Sequence, residues 1–261
     1  MTRVLVVGAC GRMGQTLVRM IEGSADLRLG AALEHAAHPQ LGREVAQGVK
    51  LGADVRAACA EADVAIDFSS HASTLALLGA AETRGLPLVL GTTGLDQAAE
   101  VEARVARASE RLAIVRAANF SIGVTVLLEL VAEAARRLEG YEIDVLEMHH
   151  DQKRDAPSGT ALALARSAAT ARGQDLQHAA VYERHGQMGV RDPKAIGLQA
   201  LRLGDSVGEH TVYFAGPGER VELAHRALSR ENFAAGALRA ARWLAGRKPG
   251  LYGMRDVLAS P

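Results

Sequence analysis

The sequence predicts an α/β protein, with a Rossmann-type doubly wound parallel sheet and a second α+β domain. The first observation is an aliphatic run at positions 3–7, which leads straight into the glycine turn GACGRMG and then into a helical pattern. The second is the alternation of strand-like and helix-like runs up to about residue 120, which is typical of parallel sheets covered by helices on both faces. The third is a change after Phe120, where one long helical pattern precedes several alternating strands.

The composition limits the partners of the chain. It has 261 residues, 48% of them hydrophobic, which is enough for one large core or two moderate ones. Thirty basic residues balance thirty acidic residues, and this argues against nucleic acid or an anionic membrane as the partner. No apolar run approaches the roughly 20 residues that cross a bilayer. The balanced charge instead favours a small molecule as the substrate. The two cysteines, Cys10 and Cys59, form no CxxC pair, so we expect a cytoplasmic protein.

The beginning of the chain predicts a dinucleotide site. The unbroken aliphatic run at 3–7 is typical of a strand that is buried on both faces. The glycine spacing of the next turn, GxxGxxG, lets backbone N–H groups approach a pyrophosphate where the following helix begins. The alternative is a tight turn that binds no nucleotide, because a glycine motif alone has low specificity.

A second strand is predicted at 27–33, and it ends in Glu34. This acid lies twenty positions beyond Gly14, where a Rossmann unit places the carboxylate that binds the ribose hydroxyls. The alternative is a solvated loop glutamate. His35 follows directly, and a protonated imidazole could meet the 2′-phosphate of NADPH, although it is a weaker cation than arginine near neutral pH.

Three further strands of the first domain are predicted at 63–68, 86–90 and 112–115, with helices at 72–83 and 96–109. Small residues, several of them polar, follow these strands at 69–70, 91–94 and 117–120. Doubly wound sheets bind their ligands at the carboxyl ends of the strands. The three loops are therefore expected on the ligand side of the sheet.

The second domain is predicted from a helix at 124–138 and strands at 141–148, 195–203, 209–215 and 220–227. The turn sequence GPG at 216–218 predicts that the last two strands pair antiparallel. A final amphipathic helix at 233–244 is expected to return to the first domain. The predicted boundaries are 1–119 with 231–261 for the dinucleotide-binding domain, and 120–230 for the substrate-binding and oligomerisation domain.

The stretch from Glu147 to Ala161 contains the candidate catalytic and substrate-binding residues of the second domain. The predicted strand ends at His149 and His150, which therefore lie at the edge of the sheet. Lys153 adds a positive charge four positions after His149. The pattern predicts an anionic substrate beside imidazoles that can donate a proton. The alternative is a pair of solvated loop histidines. A metal site is not predicted, because the further Cys or His ligands at zinc-like spacing are missing.

A helix is predicted to begin just after this histidine pair. Pro157 fixes the backbone, and Ser158 is a suitable N-cap for the alanine-rich run that follows. Backbone N–H groups and the positive end of the helix dipole therefore meet at Gly159 and Thr160. Such a helix start can hold a carboxylate or a phosphate without a charged side chain.

On these residues the chain resembles the dihydrodipicolinate reductase family (4-hydroxy-tetrahydrodipicolinate reductase) of the diaminopimelate route to lysine. The resemblance runs the length of the chain, and its motifs are GACGRMG at 8–14, DFS at 67–69, GTTG at 91–94, ANFS at 118–121, EMHH at 147–150 with Lys153 and DAPSGTA at 155–161, and GEHTV at 208–212. It implies an NADH- or NADPH-dependent homotetramer that acts on a small dicarboxylate. The sheet of the second domain would make the subunit contacts.

The resemblance also implies roles for individual residues. His149 would be the catalytic acid/base and Lys153 a proton donor, and His150, Gly159 and Thr160 would bind the substrate. The cofactor would be bound by Gly8, Ala9, Cys10, Gly11, Arg12, Met13, Glu34, His35, Gly91, Thr92, Thr93, Ala117, Ala118, Asn119 and Phe120. Family members often have arginine after the ribose-binding acid, whereas this chain has His35. The choice between NADH and NADPH therefore stays open.

The expected reaction transfers hydride from the nicotinamide C4 to a ring carbon of a conjugated cyclic imine, with a proton supplied by the protein. Two other functions are compatible with parts of the pattern. One is a two-domain Rossmann reductase for a different small acid or aldehyde, which would leave the histidine and lysine cluster unexplained. The other is a redox-sensing dinucleotide-binding module, which would need no anion site beside imidazoles. Oxidation of NAD(P)H with and without the cyclic dicarboxylate separates the three.

Overall fold

The computed structural model describes residues 1–94 and 99–259. These described residues divide into two compact units, one within 1–122 and 230–259 and the other at 123–229. The boundaries predicted from the sequence differ from these by three residues where the chain enters the second unit and by one residue where it returns to the first. The predicted start of a helix at Asp96 lies outside the described residues. Within the described ranges, no helix is long and apolar enough to cross a membrane.

The strands of both units are numbered in chain order. They are β1 (Thr2–Val7), β2 (Leu27–Leu33), β3 (Glu44–Ala46), β4 (Val49–Gly52), β5 (Val64–Asp67), β6 (Leu88–Leu90), β7 (Ala113–Arg116), β8 (Glu142–His149), β9 (Ala180–Val181), β10 (Ile196–Arg202), β11 (Gly208–Gly216), β12 (Glu219–Ala227) and β13 (Gly250–Tyr252). The helices are α1 (Arg12–Glu22), α2 (Val55–Ala60), α3 (His71–Glu82), α4 (Ala99–Ser109), α5 (Ile122–Arg137), α6 (Gly159–Ala171), α7 (Leu176–Ala179), α8 (Glu231–Trp243) and α9 (Met254–Ala259).

The first unit contains an eight-stranded sheet in the order β13-β7-β6-β5-β1-β2-β4-β3. Every pairing is parallel except that of β3 with β4. Since β1 pairs with both β2 and β5, the chain proceeds from β1 first in one direction and then in the other. This arrangement confirms the predicted doubly wound fold. The carboxyl end of β1 is the point at which such sheets bind nucleotides.

Helices cover both faces of this sheet. Val4 and Val6 belong to a core formed with α1, α8 and α9, whereas Leu5 and Val7 belong to a second core formed with α2, α3 and α4. Successive side chains of a strand point to opposite faces, so a strand that is buried on both faces has no polar position. This explains the unbroken aliphatic run at the start of the sequence.

The second unit contains a five-stranded sheet in the order β12-β11-β8-β10-β9. β11 pairs antiparallel with β12, as predicted, and also with β8, while β10 runs parallel to β8. Every second residue of β8 is buried, and Ile143 and Val145 pack into a core with α5 and α6. Glu147 and His149 continue the same inward face. The alternation that buries the core thus also directs two ionisable side chains inward.

Two helical glycines provide a test of this packing. A Cβ at Gly236 in α8 would overlap the carbonyl oxygen of Phe120, whereas a Cβ at Gly79 in α3 would meet nothing within 4 Å. Gly79→Ala should raise the free energy of unfolding by about 0.5–1 kcal/mol, because alanine loses less backbone entropy in a helix. Gly236→Ala should lower it by roughly 1–3 kcal/mol, because α8 must move away. Urea unfolding measures both values, and two equally stabilised variants would contradict the placement of α8.

Candidate active site

The centre of the candidate site is a carboxylate and an imidazole on one face of β8. The Glu147 side chain has no exposed surface, and its Oε2 atom lies 2.5 Å from Nδ1 of His149. An ionised carboxylate only accepts hydrogen bonds, so Nδ1–H of His149 donates this one. The contact fixes the orientation and tautomer of the ring. Nε2 lies on the side of Gly208, where a Cβ would come within 2.9 Å of it.

Glu147 is held by three further donors. Both terminal nitrogens of Arg202 donate to it at 2.8 Å, and the backbone N–H of Ser158 donates at 2.9 Å. Burial alone would raise the pKa of Glu147, but the hydrogen bonds from His149 and Arg202 outweigh it and lower the pKa to about 2. The carboxylate therefore remains ionised at neutral pH although it is out of contact with solvent.

Arg202 also connects this pair to Lys153. One guanidinium nitrogen donates to the backbone carbonyl of Asp155 at 2.6 Å. The Asp155 carboxylate in turn accepts two contacts from Lys153 Nζ, at 2.8 and 2.9 Å. A continuous chain of contacts thus runs from His149 through Glu147 and Arg202 to Lys153.

A second buried histidine lies beside the first. His210 is the direct neighbour of Glu147 across the β8–β11 pairing, and its ring centre is 5.2 Å from that of His149. Its Nε2 atom is 3.1 Å from the hydroxyl of Ser158. Burial, helped by the neighbouring His149, lowers the pKa of His210 to about 3. His210 is therefore neutral near pH 7 and does not serve there as a proton donor.

The start of α6 is open, as an anion site requires. Ser158 is its N-cap, as predicted, and its hydroxyl accepts a hydrogen bond from Ala161 N–H at 3.2 Å. Gly159 is the first helical residue and is exposed; a Cβ there would meet nothing within 4 Å. Among the described residues its N–H has no hydrogen-bond acceptor. The N–H groups and the dipole of the helix start provide a positive potential here.

The other predicted substrate residues lie next to these groups. His150 follows the last residue of β8 and donates its backbone N–H to Ser206 at 2.8 Å. Thr160 is the second residue of α6, and both residues are half-buried. The structure therefore places all five predicted catalytic and substrate residues on the β8–α6 connection or at its ends.

Sequence reasoning gave no role to Glu147, Arg202 or His210. The signal for Glu147 is local: it is an acid at an inward position of an alternating strand, two residues before His149. Arg202 pairs with His149 across the β8–β10 ladder, and His210 pairs with Glu147 across the β8–β11 ladder. No spacing in the sequence reveals those two neighbours, because they depend on the strand order.

The predicted pyrophosphate loop of the first unit follows β1. The N–H groups of Gly8 and Ala9 both donate to the Leu33 carbonyl, at 3.0 and 3.1 Å, and Gly11 N–H donates to the Gly8 carbonyl at 3.0 Å. Gly8 has a φ of +79°, and its Cβ would lie 2.7 Å from the Phe68 carbonyl oxygen. Only glycine suits this position. Arg12 and Met13 then form the first turn of α1.

Glu34 lies against this loop. Its Oε1 atom accepts the backbone N–H of Cys10 at 2.9 Å. A cleft of about 510 Å³ begins here, and it is lined by Gly8, Gly11, Glu34 and His35 together with residues from 53–55 and 68–76. The other predicted cofactor residues that the structure describes do not line this cleft, although Gly91–Thr93 and Ala117–Phe120 follow neighbouring strands of the same sheet.

Thr92 has a structural contact that the sequence does not indicate. Its hydroxyl accepts a hydrogen bond from Ser69 N–H at 3.1 Å and lies 3.3 Å from the hydroxyl of Thr74. Thr74 in turn donates to the buried carboxyl of Asp67 at 2.5 Å, and burial raises the pKa of that carboxyl. This network joins the ends of β5 and β6. Phe120 packs nearby, with its ring centre 5.5 Å from that of Phe68.

Two family models match the chain over nearly its whole length. The dihydrodipicolinate reductase N-terminus matches residues 2–120, and the dihydrodipicolinate reductase C-terminus matches residues 123–258. A curated 4-hydroxy-tetrahydrodipicolinate reductase of Anaeromyxobacter dehalogenans is 48% identical, over 99% of this chain and 98% of the relative. Another, of Thiobacillus denitrificans, is 47% identical over 98% of both chains.

Solved structures share the fold. A dihydrodipicolinate reductase of Paenisporosarcina sp. TG-14, solved with dipicolinate bound, has a TM-score of 0.76 at 24% identity and covers 98% of this chain and 99% of its own. GenD2 from gentamicin A biosynthesis, solved with NAD, has a TM-score of 0.61 at 15% identity and covers 99% of this chain and 90% of its own. Since both family models match and close relatives align from end to end, the chain belongs to the dihydrodipicolinate reductase family.

Proposed function

We propose that this oxidoreductase reduces dihydrodipicolinate, the cyclic imine that arises from 4-hydroxy-tetrahydrodipicolinate, to tetrahydrodipicolinate in the diaminopimelate route to lysine. The Rossmann-type unit takes a pyridine nucleotide as the hydride donor. The observation that carries the proposal is the buried Glu147–His149 pair beside the open start of α6, in a chain that matches the family along its length.

The proposed acid/base is His149. Glu147 occupies the Nδ1 side of the ring, so Nε2 is the atom that can carry a proton to or from the substrate. Hydride addition to the conjugated imine pushes an electron pair onto the ring, and a proton must meet it. Lys153 is the proposed second proton donor, and its ammonium also stabilises the negative charge that develops. A chain of contacts through Glu147, Arg202 and Asp155 connects these two residues, which supports a joint role.

The proposed substrate contacts are His150, Gly159 and Thr160. The exposed helix start at Gly159 supports a carboxylate there, because it offers N–H groups and a positive dipole without a competing side chain. Lys153, six positions before Gly159 in the chain, is proposed to add a full positive charge. The relative from Paenisporosarcina was solved with dipicolinate, itself a small dicarboxylate.

The proposed cofactor contacts are the loop from Gly8 to Met13, Glu34, His35, Gly91–Thr93 and Ala117–Phe120. Glu34 would accept the ribose hydroxyls, and its bond from Cys10 N–H orients it before the cofactor arrives. Its negative charge repels a 2′-phosphate. We therefore propose that NADH is used at least as well as NADPH at pH 8.

We further propose a cytoplasmic homotetramer that assembles through the second unit's sheet. Met148, Leu146 and Leu201 point to the face opposite the core of α5 and α6, and Leu201 is 39% exposed. A partly apolar open sheet face favours association. Both cysteines are free thiols, which agrees with a reducing compartment.

The activity itself is tested by oxidation of NADH in the presence and absence of 4-hydroxy-tetrahydrodipicolinate. Substrate-dependent oxidation is expected. Cofactor binding without any turnover would favour a dinucleotide-binding sensor, and turnover only with other acids or aldehydes would favour a different reductase.

His149→Gln should lower kcat by roughly 100-fold or more, because the amide keeps some hydrogen bonding but carries no titrating proton. The Kd for NADH, measured by fluorescence quenching, should change little. His178→Gln on the exposed helix α7 is the control and should behave as wild type. A His149→Gln variant with near wild-type kcat would remove this residue from the acid/base role.

Glu147→Gln should lower kcat about tenfold or more, since the carboxylate orients the His149 ring. The Kd for NADH should change little, whereas a general loss of folded protein would also lower the amount of NADH bound. The variant should also be less stable at pH 7 by about 3–5 kcal/mol, because Arg202 loses its buried partner.

The same variant gives an acid-stability test. The folded state lowers the pKa of Glu147 from 4.5 to about 2, so this carboxylate contributes stability that is present above pH 4.5 and lost as the pH falls towards 2. The unfolding free energies of wild type and Glu147→Gln, measured in urea, should therefore converge over that range. A constant difference from pH 7 to pH 2, or an unchanged kcat, would contradict the role of Glu147.

His35→Arg should raise the ratio of kcat/KM for NADPH to that for NADH by roughly tenfold at pH 8, because guanidinium stays charged and binds phosphate bidentately. His178→Arg adds the same charge at an exposed site of the other unit and should leave the ratio unchanged. If wild type already prefers NADPH strongly, Arg43, whose charge acts on the neighbouring Cys10, is the cation to replace next.

A further inference from the structure

Three potential metal ligands of different chemistry meet beside the proposed cofactor loop. They are the thiol of Cys10, a carboxylate oxygen of Glu34 and a ring nitrogen of His38, and these atoms all lie within 4.8 Å of one another. All three residues are half-buried. They come from three places in the chain: the turn after β1, the end of β2 and the loop between β2 and β3. The sequence spacing predicts no metal site here, because only the fold brings them together.

The ligand set suits zinc. A tetrahedral zinc ion with bonds of roughly 2.0–2.3 Å places its ligand atoms about 3.4–3.6 Å apart. Since the three atoms lie within 4.8 Å of one another, the cluster must contract by up to about 1.4 Å to bind zinc. Thiolate, imidazole and carboxylate are all common zinc ligands, whereas magnesium and calcium require oxygen ligands. Three protein ligands leave the fourth position to water.

The contacts within the cluster allow this contraction. Glu34 is already fixed by Cys10 N–H at 2.9 Å, so the carboxylate and the thiol belong to the same small region. The other contacts are long: Cys10 Sγ is 3.7 Å from Gln40 Oε1, and Gln40 N–H is 3.3 Å from His38 Nδ1. Weak contacts of this kind can be exchanged for bonds to a metal ion.

The charges around the thiol also bear on binding. Burial and the Glu34 carboxylate raise the pKa of Cys10, and Arg43 opposes them. The metal-free thiol is therefore protonated at neutral pH. Zinc must displace that proton as the zinc–sulfur bond forms, so its affinity should increase with pH.

We propose that Cys10, Glu34 and His38 bind Zn²⁺, and that the ion competes with NADH or NADPH for the adenosine end of the cofactor site. The competition rests on the proposed function, which assigns the Glu34 carboxylate to the ribose. A zinc ion bound there, together with its water ligand, would neutralise the carboxylate and take the space beside it that the ribose hydroxyls need. Zinc therefore acts as a reversible inhibitor of cofactor binding.

Isothermal titration of the full chain with zinc chloride, in buffer without thiols, tests the site in the absence of cofactor. Wild type should bind zinc, and His38→Asn should weaken that binding at least tenfold, because one of three protein ligands is lost. Cys10→Ser should weaken it too. His178→Asn is the matched control, and magnesium chloride should give no binding. Equal zinc affinity in wild type and His38→Asn would overturn the site.

Initial rates with zinc and NADH test the competition separately. Zinc should raise the apparent KM for NADH without lowering kcat, and His38→Asn should show the same rates without zinc but at least tenfold less inhibition. Zinc that binds through His38 without raising this KM would refute the competition with the cofactor. No zinc binding at all would refute the metal site and leave the proposed reductase function intact.

Discussion

The second unit depends on one constraint, which is that the buried carboxylate of Glu147 must be surrounded by donors. An ionised group without solvent is strongly destabilising unless every lone pair is satisfied. Glu147 achieves this with four hydrogen bonds, from His149, from Ser158 N–H and two from Arg202. The donors belong to β8, to the N-cap of α6 and to β10. A single charge therefore fixes where three elements meet, and it orients the imidazole at the same time.

This arrangement also controls which groups of the site can exchange protons. Glu147 stays ionised in its ion pair with Arg202, and His210 stays neutral, so neither Glu147 nor His210 changes charge near pH 7. The Lys153 ammonium is already paired with Asp155, whose side chain is 62% exposed. An anionic ligand can replace that exposed partner at low cost, because exposed ion pairs contribute little. The charges around Glu147 are thus buried and fixed, whereas the ion pair of Lys153 with Asp155 reaches the surface and can be exchanged.

The sequence predicts those parts of the fold and the site that are determined by residues close together in the chain. β1, β2 and the β11–β12 pair follow from local apolar patterns and a turn, and Ser158 follows from its position before a helix. Short strands such as β3, β9 and β13 have two or three residues, too few to show a period. Arg202 and His210 reach the site only through strand order, which local sequence does not encode. For Thr92 the sequence predicts the position of the loop, but it does not predict the hydrogen bond with Ser69 N–H.

Both units place an acid at or near a strand end and use it to hold the backbone of a nearby loop. Glu147 accepts a hydrogen bond from Ser158 N–H, and Glu34 accepts one from Cys10 N–H, each at 2.9 Å.

The two carboxylates differ in the acceptor capacity that remains for a ligand. Glu147 is fully buried and has four donors, so no acceptor capacity is left for a ligand. Glu34 is half-buried and, among the residues described, accepts only the bond from Cys10. Its remaining lone pairs lie beside a cleft, at a carboxylate whose orientation is already fixed. Pre-organisation of this kind lowers the entropic cost of binding, for a ribose hydroxyl and for a metal ion alike.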